Sequence, residues 1–217
     1  MRIVIAIAIS VALASGCGGG DGDTSLGVTW TFDSGDCAAN GLETIRVTWG
    51  AAGGATTSVD FACVDGGGTL GDIGGGGSFS ITAEGLDAAG IVRAESFGTS
   101  VTLGASGTGG IPIELHLHPA RADVTVSWSL AGGGSCPSGV ILPYFVTLYE
   151  APAPGGPLTT QAASTQESCT TGEATLTSVA PGDYVIEVDS RAVTPALRAT
   201  QPVTVVAGEN AVVAVTF

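Results

Sequence analysis

The feature that most constrains this chain is that it repeats itself. Val28-Thr29-Trp30-Thr31-Phe32 matches Val126-Ser127-Trp128-Ser129-Leu130 at an offset of 98, and Cys37 matches Cys136 at 99. Val47-Thr48 matches Val146-Thr147 at 99, and Ile111 to Leu117 aligns with Ala211 to Phe217 at 100. The matches keep their order, and a period near 100 residues is too long for a solenoid repeat and right for a domain. The sequence therefore implies one folding unit doubled, over 26–118 and 119–217. Cys63 and Cys169 stand 106 apart because the second copy carries an extra loop from Ala151 to Pro157.

Within each copy the apolar residues alternate with Thr, Ser or Asp. Val28, Trp30 and Phe32 do so, as do Ile45, Val47 and Trp49, and Tyr184, Ile186 and Val188. That period of two marks strands with one face buried. The runs are short, Gly, Pro, Asn and Asp separate them, and no segment sustains a helical period. The expected fold is all-β, two tandem antiparallel β-sandwich domains related by internal duplication. Glycine supplies 35 of 217 residues, more than twice the usual share of about 7%, so each core is lean.

The first 16 residues read as an export signal. Arg2 gives a positive start, and Ile3 to Leu13 is an uncharged apolar run. It is too short to span about 30 Å of hydrocarbon as a helix and fits a secretory core segment. Ala14-Ser15-Gly16-Cys17 then resembles the lipobox of bacterial lipoproteins. The resemblance implies that Cys17 is acylated and becomes the first residue of the mature chain. Gly18 follows it, where Asp would favour inner-membrane retention, so the resemblance implies an outer membrane lipoprotein. Residues 17–25 read as a Gly-rich tether, whose eight residues after Cys17 reach roughly 15 Å.

With Cys17 set aside, Cys37, Cys63, Cys136 and Cys169 remain. An exported chain meets oxidising conditions, and four cysteines allow three pairings. The repeat favours Cys37–Cys63 and Cys136–Cys169.

Pro181-Gly182 precedes the Tyr-led strand from Tyr184 to Val188. This looks like the turn and strand of prealbumin-like, or carboxypeptidase-regulatory-like, modules. The resemblance implies a spacer or binding unit without catalysis; fibronectin-like and immunoglobulin-like sandwiches stay open.

The net charge is −14, with twenty acids and six basic residues, all of them arginine. No basic surface exists to displace phosphate counterions, so a nucleic-acid partner is excluded. The expected partners are the membrane, through the lipid anchor, and a protein or glycan.

Few residues suggest chemistry, and no cofactor is indicated. Glu114, His116 and His118 occupy alternate positions, so a strand would turn all three to one face. Two imidazoles and a carboxylate are ligands for zinc or copper, which makes a metal-binding envelope protein the alternative function. The competing reading is a solvent-facing polar row. Gly66 to Gly71 matches the spacing of a dinucleotide fingerprint, but glycines follow where a helix must start, so a flexible loop is expected. Asp65 and Asp72 fit no calcium-loop spacing. The chain has two histidines and no G-x-S-x-G elbow, which leaves hydrolase chemistry without marked residues. Trp30 and Trp128 are expected in the core.

Overall fold

A computed structural model describes residues 25–51, 53–71, 73, 77–103, 112–130, 143–154, 156–190 and 197–217. The signal segment 1–16, Cys17, nearly all of the tether, Asp72 and Cys136 lie outside the described residues. The first copy comprises β1 (Leu26–Phe32), β2 (Thr44–Ala51), β3 (Thr56–Ala62), β4 (Gly67–Leu70), β5 (Gly77–Leu86), β6 (Val92–Ser96), β7 (Thr99–Leu103) and β8 (Ile113–Pro119). The second comprises β9 (Ala122–Ser129), β10 (Pro143–Glu150), β11 (Gln161–Ser168), β12 (Glu173–Val179), β13 (Gly182–Ser190), β14 (Leu197–Val205) and β15 (Ala211–Thr216). There is no α-helix among the described residues, and no helix there is long and apolar enough to cross a membrane.

The alternation in the sequence becomes alternation in burial. Leu26, Val28 and Trp30 of β1 are buried while Gly27, Thr29 and Thr31 are not; Ile45, Val47 and Trp49 of β2 behave likewise. Each such Val, Leu or Ile contributes about 1.5–3 kcal/mol through burial. The buried side chains form two clusters. One is built on Trp30, Val47 and Leu115, the other on Val126, Trp128, Val146 and Ile186.

The second copy is a sandwich of two sheets, ordered β11-β10-β13-β14 and β12-β9-β15. The first copy has the same layers, β3-β2-β5-β7 and β4-β1-β8, but β6 joins them into one continuous hydrogen-bonded sheet. The cause is a break at Phe97-Gly98. In the second copy β14 pairs along all of β13. In the first, β7 pairs the start of β5, while β6 pairs its end and also reaches β8.

The duplication extends to single hydrogen bonds. A 3-10 turn starts at Cys63 in one copy and at Cys169 in the other, and each ends on a left-handed glycine, Gly66 (φ 67°) or Gly172 (φ 74°). Trp30 donates its indole N–H to the Cys63 carbonyl at 2.9 Å, and Trp128 donates to the Cys169 carbonyl at 3.4 Å. Trp30 stands opposite Leu115 on β8, and Trp128 opposite Val215 on β15, which reproduces the offsets of 98 and 100. Cys37 is bonded to Cys63. Cys169 is disulfide-bonded as well.

Two local expectations are revised. Pairing is not antiparallel throughout: β1–β8 and β9–β15 are parallel, because the first and last strands of each copy lie side by side. The Gly66–Gly71 run is not a loop, since Gly67–Leu70 forms β4 against β1. Its glycines are required by close approach, not by flexibility. A Cβ on Gly67 would stand 2.7 Å from the Val28 carbonyl oxygen, and one on Gly68 would enter the Phe61 ring.

Ala120 and Arg121 alone connect β8 to β9. Arg93 of β6 bridges the junction, donating to Asp87 at 2.8 Å and to the Ala207 carbonyl at 2.9 Å, and pairing with Glu209. Arg121 donates to the Ser178 carbonyl at 3.0 Å. Gly208 (φ 68°) lies against the Val92 backbone, where any side chain would collide.

Candidate functional site

The polar row of β8 meets the end of β1. Leu115 and Leu117 are buried, which turns Glu114, His116 and His118 outward. Parallel pairing sets Thr31 opposite His116. The Asp33 N–H donates to the Leu117 carbonyl at 3.2 Å, carrying the β1 direction one residue further. The Asp33 carboxylate therefore sits between the two imidazoles. Its Oδ1 is 2.8 Å from His116 Nε2, and its Oδ2 is 2.9 Å from His118 Nδ1. These hydrogen bonds, the one from His118 first, hold the Asp33 carboxyl below the ordinary aspartate range. The imidazole rings are edge-on, with centroids 4.8 Å apart, and the exposed Phe97 ring lies 4.8 Å from His118.

The structure thus gathers Asp33, His116 and His118, whose ligand atoms all lie within 4.8 Å of one another. Glu114 is not in that group. It accepts a hydrogen bond from Thr31 Oγ1 at 3.0 Å, and the same Thr31 oxygen is 3.0 Å from His116 Nδ1. Asp33 and Thr31 were missed at the sequence level. They share outward parity with Thr29 on β1, but only the parallel register of β1 and β8 reveals what they face.

Asp33 and His118 also border two cavities at the junction of the copies. One, of about 500 Å³, is lined by Asn40, Asp87, Arg93, Ala207 and Glu209 among others. The other, of about 260 Å³, includes Glu95, Phe97, Arg121 and Pro181.

Thr31, His116 and Asp33 formally follow the hydroxyl–imidazole–carboxylate order of a hydrolase. The surroundings do not complete it. Thr31 lies on the outer face of β1 opposite His116, and its hydroxyl donates to Glu114 Oε1 rather than to the imidazole. Trp30, Trp49 and Trp128 are all buried, which removes them as stacking platforms. Tyr184 donates its hydroxyl to the Ala180 carbonyl at 2.9 Å, pinning the Pro181-Gly182 turn.

The fold defines a class: a doubled, disulfide-bearing β-sandwich protein. The chain matches no described protein family and no curated protein. Among solved structures it is similar to the TIE protein of Bacillus anthracis, at 14% identity and a TM-score of 0.36, covering 90% of this chain and 33% of that one. It thus spans about a third of that protein. It is similar to an adhesin candidate from Bacteroides ovatus (12% identity, TM-score 0.38, 78% and 72% covered). It is also similar to GBS52, the minor pilin of Streptococcus agalactiae (10% identity, TM-score 0.33, 88% and 94% covered).

Proposed function

We propose that this chain is a non-catalytic, lipid-anchored protein of the bacterial outer membrane. Its two sandwiches, over 26–118 and 119–217, present a binding surface to a protein or glycan partner. The observation that carries the reading is the bridged junction. Arg93 ties β6 to the loop after β14, and Arg121 ties the linker to Ser178. Two copies so joined hold a surface at a fixed orientation, which suits a spacer or adhesive unit more than a reaction vessel. The acidic surface supports it, because a net charge of −14 keeps such a unit soluble and off anionic lipid.

The upstream sequence supplies the anchor. Acylation at Cys17 adds about 0.8 kcal/mol of membrane affinity per buried methylene, and more than one chain makes attachment stable. The Gly-rich tether then lifts the first sandwich from the lipid surface. In this reading Cys136 pairs with Cys169, giving each copy one cross-link.

The test is fractionation of expressing cells. The wild-type chain partitions with membranes, and Cys17→Ser moves it to the soluble fraction. A Cys17→Ser protein that stays in the membrane fraction refutes the anchor. Intact mass after alkylation without reductant shows four oxidised cysteines; free thiols at Cys136 and Cys169 refute the second cross-link.

A further inference from the structure

We propose that Asp33, His116 and His118 bind one divalent transition-metal ion of the zinc or copper class, with Thr31 and Glu114 aligning His116. The site is independent of the lipid anchor and of any partner. The donors are already close together. Metal–ligand bonds of about 2.0–2.2 Å in tetrahedral geometry set neighbouring donors roughly 3.3–3.5 Å apart. The Asp33 oxygens stand 2.8 and 2.9 Å from the two imidazole nitrogens, and all three ligand atoms fit within 4.8 Å. Side-chain rotation alone opens that set around an ion. Imidazole nitrogen with carboxylate oxygen selects zinc or copper over calcium or magnesium.

The second observation is the hydrogen-bond chain behind His116. Thr31 Oγ1 donates to Glu114 Oε1 and lies 3.0 Å from His116 Nδ1, so one ring nitrogen of His116 is held by Thr31 while the other, Nε2, faces Asp33 at 2.8 Å. The order Glu114–Thr31–His116 is the outer-shell arrangement that fixes the tautomer of a metal-bound imidazole and raises its basicity. Glu114 therefore serves one shell out, not as a ligand. Three protein ligands leave a fourth position open to water or to a carboxylate or amine of whatever occupies the groove beside His118.

The experiment is calorimetric titration of the soluble Cys17→Ser chain with zinc chloride, then copper chloride, in a non-coordinating buffer. One ion per chain is expected. Asp33→Ala and His118→Ala each weaken binding at least a hundredfold. Thr31→Val and Glu114→Gln weaken it 10–100-fold, the usual effect of an outer-shell change. All four positions are outside the buried core, and unchanged thermal melting of each variant confirms folding. Cobalt substitution reports coordination directly, through visible bands that Asp33→Ala abolishes. The proposal is overturned by negligible wild-type heats, by half an ion per chain, or by an Asp33→Ala protein that binds like wild type. It is equally overturned if Glu114→Gln abolishes cobalt coordination while Asp33→Ala preserves it.

Discussion

The Cys37–Cys63 cross-link closes a loop of 26 residues in sequence separation. In the chain-entropy treatment its removal restores about 12 cal/mol/K to the unfolded chain, or about 3.5 kcal/mol at 25 °C. For a unit of this size, 1 kcal/mol moves the midpoint by about 4–8 °C, so the double change Cys37→Ala/Cys63→Ala lowers the melting of the first copy by roughly 15–25 °C. The loss is local. The buried clusters of the two copies are separate, and no strand of one pairs with a strand of the other among the described residues. The assay is scanning calorimetry paired with tryptophan fluorescence. Trp30 and Trp49 report the first copy and Trp128 the second. The first transition drops and the second holds. A first transition that moves by less than about 5 °C refutes the loop-closure argument. Equal movement of both transitions refutes the independence of the cores.

Two further outcomes follow from charged groups. Glu187 is 3% exposed and paired with Arg198, so Arg198→Ala leaves a buried carboxylate without its cation and costs the second copy about 1.5–3 kcal/mol in urea unfolding. Adding Glu187→Gln to that variant restores part of the loss; an Arg198→Ala protein as stable as wild type refutes the pairing. Asp87 is held below its ordinary range by the Ile91 N–H and then by Arg93, and Asp60 by Arg46. Depressed carboxyls contribute stability that is present above the unfolded value near 3.9 and lost as pH falls through the folded value. The urea midpoint is therefore flat above about pH 5 and declines below about 4, more gently in Asp87→Asn; a decline of unchanged steepness in that variant refutes the assignment.

Much of the strand framework was legible because burial follows parity. Val28, Trp30 and Leu115 announce their buried faces through their neighbours, and the doubling showed that both copies share one plan. What the sequence hid depends on pairing between distant segments. Nothing local in Ile113–Pro119 says that it lies parallel to β1, and without that register Asp33 has no reason to join His116 and His118. Glu114 has the right parity and the right chemistry, yet parity fixes the face and not the neighbour. Gly67 and Gly68 misled for a related reason. Glycine signals turns when the demand is on φ, and here the demand comes from a carbonyl and an aromatic ring of other strands.

The side-by-side parallel placement of β1 and β8 has a mechanical consequence. The chain enters the first copy at one pole along β1 and leaves at the opposite pole along β8, and β9 and β15 repeat this in the second. Tension applied across either copy, from its first strand to its last, then runs along these strands. It loads their hydrogen bonds in shear, all together, where a hairpin pulled from one end would unzip bond by bond. Resistance to such a pull is governed by the unfolding rate, and the geometry sets the two terminal strand pairs as the elements that bear it.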